Sequence, residues 1–178
     1  LGDTNTVKQA NSFAFGQGNT SDGENSFVGG DKAKAVGRDT FAFGSSAEAL
    51  TEYTIAIGSQ ARTIGYNTLA IGNGATVSGP SSIAIGRTNN VTGENSVAIG
   101  ANSVTELQVG TTNIKDNTTD IRFSNSAYAG SNPDSVVSFG TNGRAGAGGV
   151  TSYTRQLQNL AAGRVSATST DGINGSQL

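Results

Sequence analysis

Few side chains in this sequence could do covalent chemistry. The 178 residues include 13 Asp and Glu and 11 Lys and Arg, for a net charge of −2, and neither His nor Cys is present. Without His, a Ser-His-Asp relay, imidazole proton transfer and ordinary zinc sites are ruled out. Without Cys, thiolate nucleophiles and disulfide staples go too. Ser and Thr are abundant but have no base to activate them. Asp116 and Asp120 come nearest to a cation site, yet the loop pattern of a calcium site is missing around them. The glycine-rich turns lack the Lys and the helix start of a phosphate loop. No enzymatic activity, metal or cofactor is expected, and the mild acidity argues against a nucleic-acid partner.

Binding surfaces are better represented. Val36, Leu50 and Ile64 recur at one even spacing, and Tyr53 is the one aromatic in a column otherwise filled by Asn25, Asp39, Asn67, Ser81 and Asn95. Tyr66 lies close by in the chain. An apolar ridge rimmed by tyrosines has the composition that protein partners grip. The other reading is that these side chains tuck over a corner of the fold or into a seam between copies.

The elements that must carry them come from an internal repeat. Ser12-Phe13-Ala14-Phe15-Gly16 returns as Ser26–Gly30, Thr40–Gly44, Thr54–Gly58, Thr68–Gly72, Ser82–Gly86 and Ser96–Gly100, so seven closing glycines stand fourteen positions apart. Between them, Ala33, Ala47, Ala61 and Ala75 follow their glycine by three, and Ala35, Ala49, Thr63, Val77 and Val91 by five. A repeat of that length holds two short strands and two glycine-bearing turns, too little for a helix pair, so each reads as one coil of a parallel β-solenoid. Seven coils stacked at ~4.8 Å make a column ~34 Å tall. Only 34% of residues are hydrophobic, which excludes a conventional bulky core.

Side chains alternate along a strand, so Ile55 and Ile57 point one way and Ala56 the other. The expectation is that the bulky pair fills the coil interior and that Ala14, Val28, Ala42, Ala56, Ala70, Ala84 and Ala98 face outward, where identical columns meet on an axis. A thin solenoid buries little apolar surface by itself, which favours an oligomer over a monomer with an exposed alanine face. Gly29 leaves a gap that Phe15 and Phe43 are large enough to fill, and Asn89 needs polar partners inside or marks a wetter coil. The Ser12, Ser26, Thr40, Thr54, Thr68, Ser82, Ser96 column is expected to bond along its own turns rather than to present an ice-binding lattice.

The phrase Asn95-Ser96-Val97-Ala98-Ile99-Gly100, with its equivalents in the preceding coils, resembles the head repeat of trimeric autotransporter adhesins, the YadA-like family. Arg155-Gln156-Leu157-Gln158-Asn159-Leu160-Ala161-Ala162-Gly163, followed by Thr170-Asp171-Gly172-Ile173-Asn174-Gly175-Ser176-Gln177-Leu178, resembles that family's neck. The resemblance implies an all-β fold: left-handed parallel β-rolls in a homotrimer, with a short helical neck. It also implies a virulence-associated surface adhesin on a Gram-negative bacterium, anchored in the outer membrane by a C-terminal barrel that lies outside this sequence. Its partner would be a host extracellular-matrix protein or a host cell-surface receptor, immunoglobulin-like receptors included; a passive trimeric spacer is the alternative. The resemblance supplies the number three and the handedness.

The expected division is head repeats over 1–100, an irregular insertion or extended neck over 101–149, and a neck over 150–178 leading to a coiled-coil stalk. Thr154 to Ala162 is expected to be helical, ended by Gly163, with Asp171 capping a further helix. Arg155 opens that neck motif, and Leu157, Leu160 and Ile173 would be contacts between chains. Ser135-Val136-Val137-Ser138-Phe139-Gly140 sounds like one more head phrase. The opening Leu1-Gly2-Asp3, with no signal region, reads as an excised piece of something longer.

Overall fold

The computed structural model describes residues 2–105, 113–115, 122–124, 129–130, 132–141 and 153–177. Asp116, Asp120 and most of the glycine-rich stretch 140–149 lie outside them. The chain divides into two compact units, one of Leu1–Leu107 with Ser135–Thr154, the other of Gln108–Asp134 with Arg155–Leu178.

The first unit is a β-solenoid. One wall is a nine-stranded parallel sheet of Gly2–Asp3, Phe13–Gln17, Phe27–Asp31, Phe41–Phe43, Ile55–Ile57, Leu69–Ile71, Ile83–Ile85, Val97–Ile99 and Val137–Ser138. The other is an eight-stranded parallel sheet running from Thr6–Val7 to Val104–Thr105. Within the repeats each residue pairs with its equivalent in the next coil, as in Ala56↔Ala70↔Ala84 and Glu48↔Arg62↔Thr76. A coil precedes the seven read from the repeat, because Gly2 pairs with Gly16 and Thr6 with Thr20. The phrase at 135–140 does rejoin the wall, with Val137 beside Val97 and Ser138 beside Ala98.

Glycine closes each coil because the backbone there is left-handed and crowded. Gly58 has φ 126°, and a Cβ on it would lie 2.6 Å from the carbonyl oxygen of Gly72 in the next coil, far inside van der Waals contact. The opposite corner turns through a second left-handed residue, filled by Asn25, Asp39, Asn67 and Asn95, types that tolerate this conformation. The hydroxyl column does bond along its turns: Thr54 Oγ1 donates to Thr51 O at 2.8 Å and Thr68 Oγ1 to Gly65 O at 2.9 Å.

The alanine column requires a correction. Ala14, Ala42, Ala56, Ala70, Ala84 and Ala98 are buried within the single chain, so they line the coil interior and cannot form a trimer axis. They face Ala33, Ala35, Ala47, Ala49, Ala61 and Ala75 of the opposite wall, all fully buried. Among the described residues no Leu, Ile or Phe is buried; the largest fully enclosed apolar side chains are Val28, Val77 and Val91. Two walls joined by such short turns leave a lumen for methyl-sized side chains, and the bulky member of each alternating pair goes outside.

The two asparagines enclosed by the coils are satisfied, whereas Thr141 Oγ1, near the end of the unit, is buried without a hydrogen-bond partner. Asn89 is 1% exposed; its Oδ1 accepts from the Ser103 N–H at 2.9 Å and its Nδ2 donates to Ala98 O at 3.3 Å. Asn19 does the same at the other end, accepting from Ala33 N–H and donating to Phe15 O and Gly30 O.

In the second unit, Asn113–Lys115 and Arg122–Ser124 pair antiparallel. The expected helix over 154–162 is not formed; no regular structure is present there, and the sole helical turn among the described residues of 154–177 is Gly175–Gln177. So short a segment is marginal as a helix unless a face is buried, and Leu157 and Leu160 are exposed. Asp171 caps no helix. It grips Arg164 instead, accepting from Nε at 2.8 Å, from Nη2 at 3.1 Å and from the backbone N–H at 3.1 Å. Gln177 closes the same loop, its side-chain amide pairing with both the O and the N–H of Gly163.

Candidate functional site: two solenoid surfaces

The outer face of the nine-stranded wall carries most of the exposed bulky side chains of the solenoid. In the coils from Ala14 to Ala98 the residues on both sides of the buried alanine point outward, apart from the coil where Val28 and Gly29 take those places. At the first coils they are aromatic. Phe27 stacks on Phe13 at 5.5 Å and on Phe41 at 4.9 Å between ring centroids. Phe15 and Phe43 meet at 5.9 Å across Gly29, where an added Cβ would strike Phe15 at 2.4 Å. The gap expected at Gly29 is thus filled by those two rings, on the outer face rather than in the lumen. Farther on the columns are aliphatic, and Ile55, Ile85 and Ile99 each stay 40% exposed. From Phe13 to Ile99 these columns form a continuous apolar face, the kind of exposed patch that marks an interaction surface.

The opposite wall is polar outside. Glu48 sits between Lys34 at 3.3 Å and Arg62 at 3.0 Å, a run of three alternating charges flanked in the same column by Thr20 and Thr76. Exposed pairs of this kind contribute little stability each, but they keep that wall wet.

The second surface is the corner that follows the polar wall. The strand ladder continues one residue past it, with Val36 N–H donating to Ala49 O, Leu50 N–H to Thr63 O and Ile64 N–H to Val77 O. These three side chains therefore alternate outward from the buried Ala35, Ala49 and Thr63. Val36 is exposed while Leu50 and Ile64 are half-buried. Tyr53 is 47% and Tyr66 56% exposed. The Arg38 guanidinium lies 5.1 Å from the Tyr53 ring centroid, and its Nη2 donates to the phenol oxygen. Arg38 is the member of this corner that sequence reading missed; only its place one residue before the left-handed column could have marked it.

Of the neck residues, Leu157, Leu160 and Ile173 are exposed, and Asp171 forms the ion pair with Arg164. No cluster of three or more Asp, Glu, His or Cys capable of holding a metal occurs among the described residues, nor is any helix long and apolar enough to cross a membrane.

A family model described as the YadA head domain repeat matches residues 2–33, 35–61, 64–89 and 78–103, more than half of the chain. Among solved structures, the chain is similar to the collagen-binding domain of the Yersinia adhesin YadA, with 26% identity, a TM-score of 0.55, and coverage of 90% of this chain and 72% of that one. It is also similar to the C-terminal YadA-like domain of a Burkholderia pseudomallei protein, at 32% identity and TM-score 0.42, covering 65% of this chain and 41% of that one. No curated protein sequence matches it. With the coil period, the buried alanine lumen and this family match in agreement, the chain belongs to the YadA head-repeat family.

Proposed function

We propose that this chain is the head of a bacterial surface adhesin that works as a homotrimer and attaches to a host extracellular-matrix protein or a host cell-surface receptor. The observation that carries the reading is the bulky outer face of the nine-stranded wall. It recurs from coil to coil between Phe13 and Ile99, and it suits three identical columns meeting around one axis. The apolar columns of Phe, Ile, Leu and Val, and not the alanines, form that seam. The collagen-binding domain of the Yersinia adhesin supports a matrix partner, because it shares this fold over most of the chain.

The mechanism is geometric. A stiff solenoid holds three copies of each surface at fixed spacing, and three weak contacts act together through high effective concentration. The corner bearing Val36, Leu50, Tyr53, Ile64 and Tyr66 is the surface offered to the ligand. Residues 150–178 lead toward a stalk, and anchoring in the outer membrane would fall to a part of the protein beyond this sequence. No catalytic step is involved. The test is binding of the purified chain, at its measured oligomeric mass, to immobilised collagen, other matrix proteins and immunoglobulin-like receptors. Saturable binding to one of them is expected; a folded trimer that binds none would favour the passive spacer.

A further inference from the structure

The corner of the three coils around Tyr53 departs from the rest of the column in four ways. Where other coils place Gly23, Gly37, Gly65, Gly79 and Gly93, this one has Thr51. Tyr53 occupies a left-handed position, φ 59°, shared with Asn11, Asn25, Asp39, Asn67, Ser81 and Asn95. For a bulky aromatic residue that conformation is an outlier, and such outliers gather at functional sites. Tyr53 also interrupts a side-chain ladder in which Asn11 Nδ2 donates to Asn25 Oδ1 and Asn25 Nδ2 to Asp39 Oδ1 at 2.9 Å. An Asn here would relieve the backbone and continue the ladder, while the Tyr ring, half in water, returns little packing. Finally, the outward apolar column is confined to Val36, Leu50 and Ile64, bounded by Asp22 below and Ser78 above.

The ring is held rather than loose. Arg38 covers one of its faces and bonds its hydroxyl, and is itself 3.7 Å from Glu52. An aromatic pinned in this way loses little freedom when a partner arrives. The charge around it is one-sided: between Lys8 and Asn95, this corner carries Asp22, Glu24, Asp39, Glu52 and Glu94 against Lys8 and Arg38. Both cations already face carboxylates, Lys8 at 2.9 Å from Asp22 and Arg38 as above.

Resting on the adhesin reading, we infer that this corner docks a basic protein segment bearing an apolar anchor. The apolar residue lies along Val36, Leu50 and Ile64. An Arg or Lys of the partner sits over the Tyr66 ring and opposite Glu52, as cation–π and ion-pair geometry favour. A second copy of this chain is the poorer occupant: it is acidic overall and would bring like charge.

The experiment uses the whole trimeric chain and two synthetic peptides of equal length, one of Arg, Leu, Pro and Gly, the other with Glu replacing every Arg, followed by fluorescence anisotropy. The basic peptide is expected to bind and the acidic one not, with affinity falling as salt rises. Tyr53→Asn and Tyr66→Ser should each weaken binding about tenfold, while Tyr53→Asn raises the thermal midpoint. A residue kept for stability alone would not lose binding while the fold gains. Equal binding of the two peptides, binding of neither, or an unchanged affinity in the double variant overturns the inference, as does association of trimers abolished by Tyr66→Ser. Matrix attachment that survives the double variant sinks this inference and leaves the adhesin reading standing. A wild-type chain that attaches to nothing sinks that reading instead.

Discussion

Shortening Ile85 to Ala separates the two possible assignments of the wall's faces. Ile85 is 40% exposed in the single chain and lies beside Ile71 and Ile99 in the outer column. The substitution removes three carbons, worth about 2.4 kcal/mol at about 0.8 kcal/mol per buried methylene. The covered part of that, about 1.4 kcal/mol, is lost from the single folded coil. The remainder, about 1 kcal/mol, is realised only when another copy covers the side chain, and three chains together lose about 3 kcal/mol of association. At about 1.4 kcal/mol per tenfold, trimer assembly weakens about 100-fold. Sedimentation equilibrium over a dilution series reads the constant, with far-UV circular dichroism as the check on the fold. Thr76→Ala, on the outer face of the polar wall, is the control and should leave the mass unchanged. A variant that keeps the wild-type dissociation constant while folded would refute the assignment of the bulky columns to the seam. Ala84→Leu completes the test, since a seam residue would disturb only the mass, whereas a lumen residue overpacks the coil and lowers the unfolding midpoint.

Asn89→Ala should cost about 1–3 kcal/mol in urea unfolding, because the buried Ser103 N–H loses its acceptor; an unchanged midpoint would show that water replaces the side chain. Asp171 has its pKa lowered from the usual carboxylate value by the hydrogen bonds from the Arg164 side chain and then from the Arg164 backbone. The pairing is therefore fully present above the unfolded carboxylate value of about 3.9 and is lost as pH falls through the lower folded value. The Arg164 Nε–H resonance should hold its position down to mild acidity and shift below that range, and Asp171→Asn should remove the transition; titration near pH 6 would contradict the assignment.

Coil length, the turn positions and parallel stacking were legible in the sequence, because glycine at so regular a beat leaves few ways to close a strand-turn-strand circuit. The hydroxyl column was legible for a similar reason, since a hydroxyl at a tight turn has that turn's own carbonyls within reach; for Asn89 the sequence left polar partners and a wetter coil both open, and only the closed coil supplies Ser103 N–H and Ala98 O. Tyr53 stood out by type alone, but Arg38 beside it did not, since a surface arginine one coil earlier gives no local sign that it will fold back over a ring. The neck helix is absent because propensity over so few residues is decided by whether a face is buried, and within the single chain Leu157 and Leu160 are exposed.

The decisive gap concerns the two sides of one strand. Alternation in Ile55-Ala56-Ile57 separates a bulky face from a small one, and that separation belongs to the sequence. Which face turns inward depends on the width of the lumen, and that width exists only once both walls are built and closed. The enclosed space admits methyl groups and an occasional valine, so alanine goes inside and the large side chains are left on the outer face.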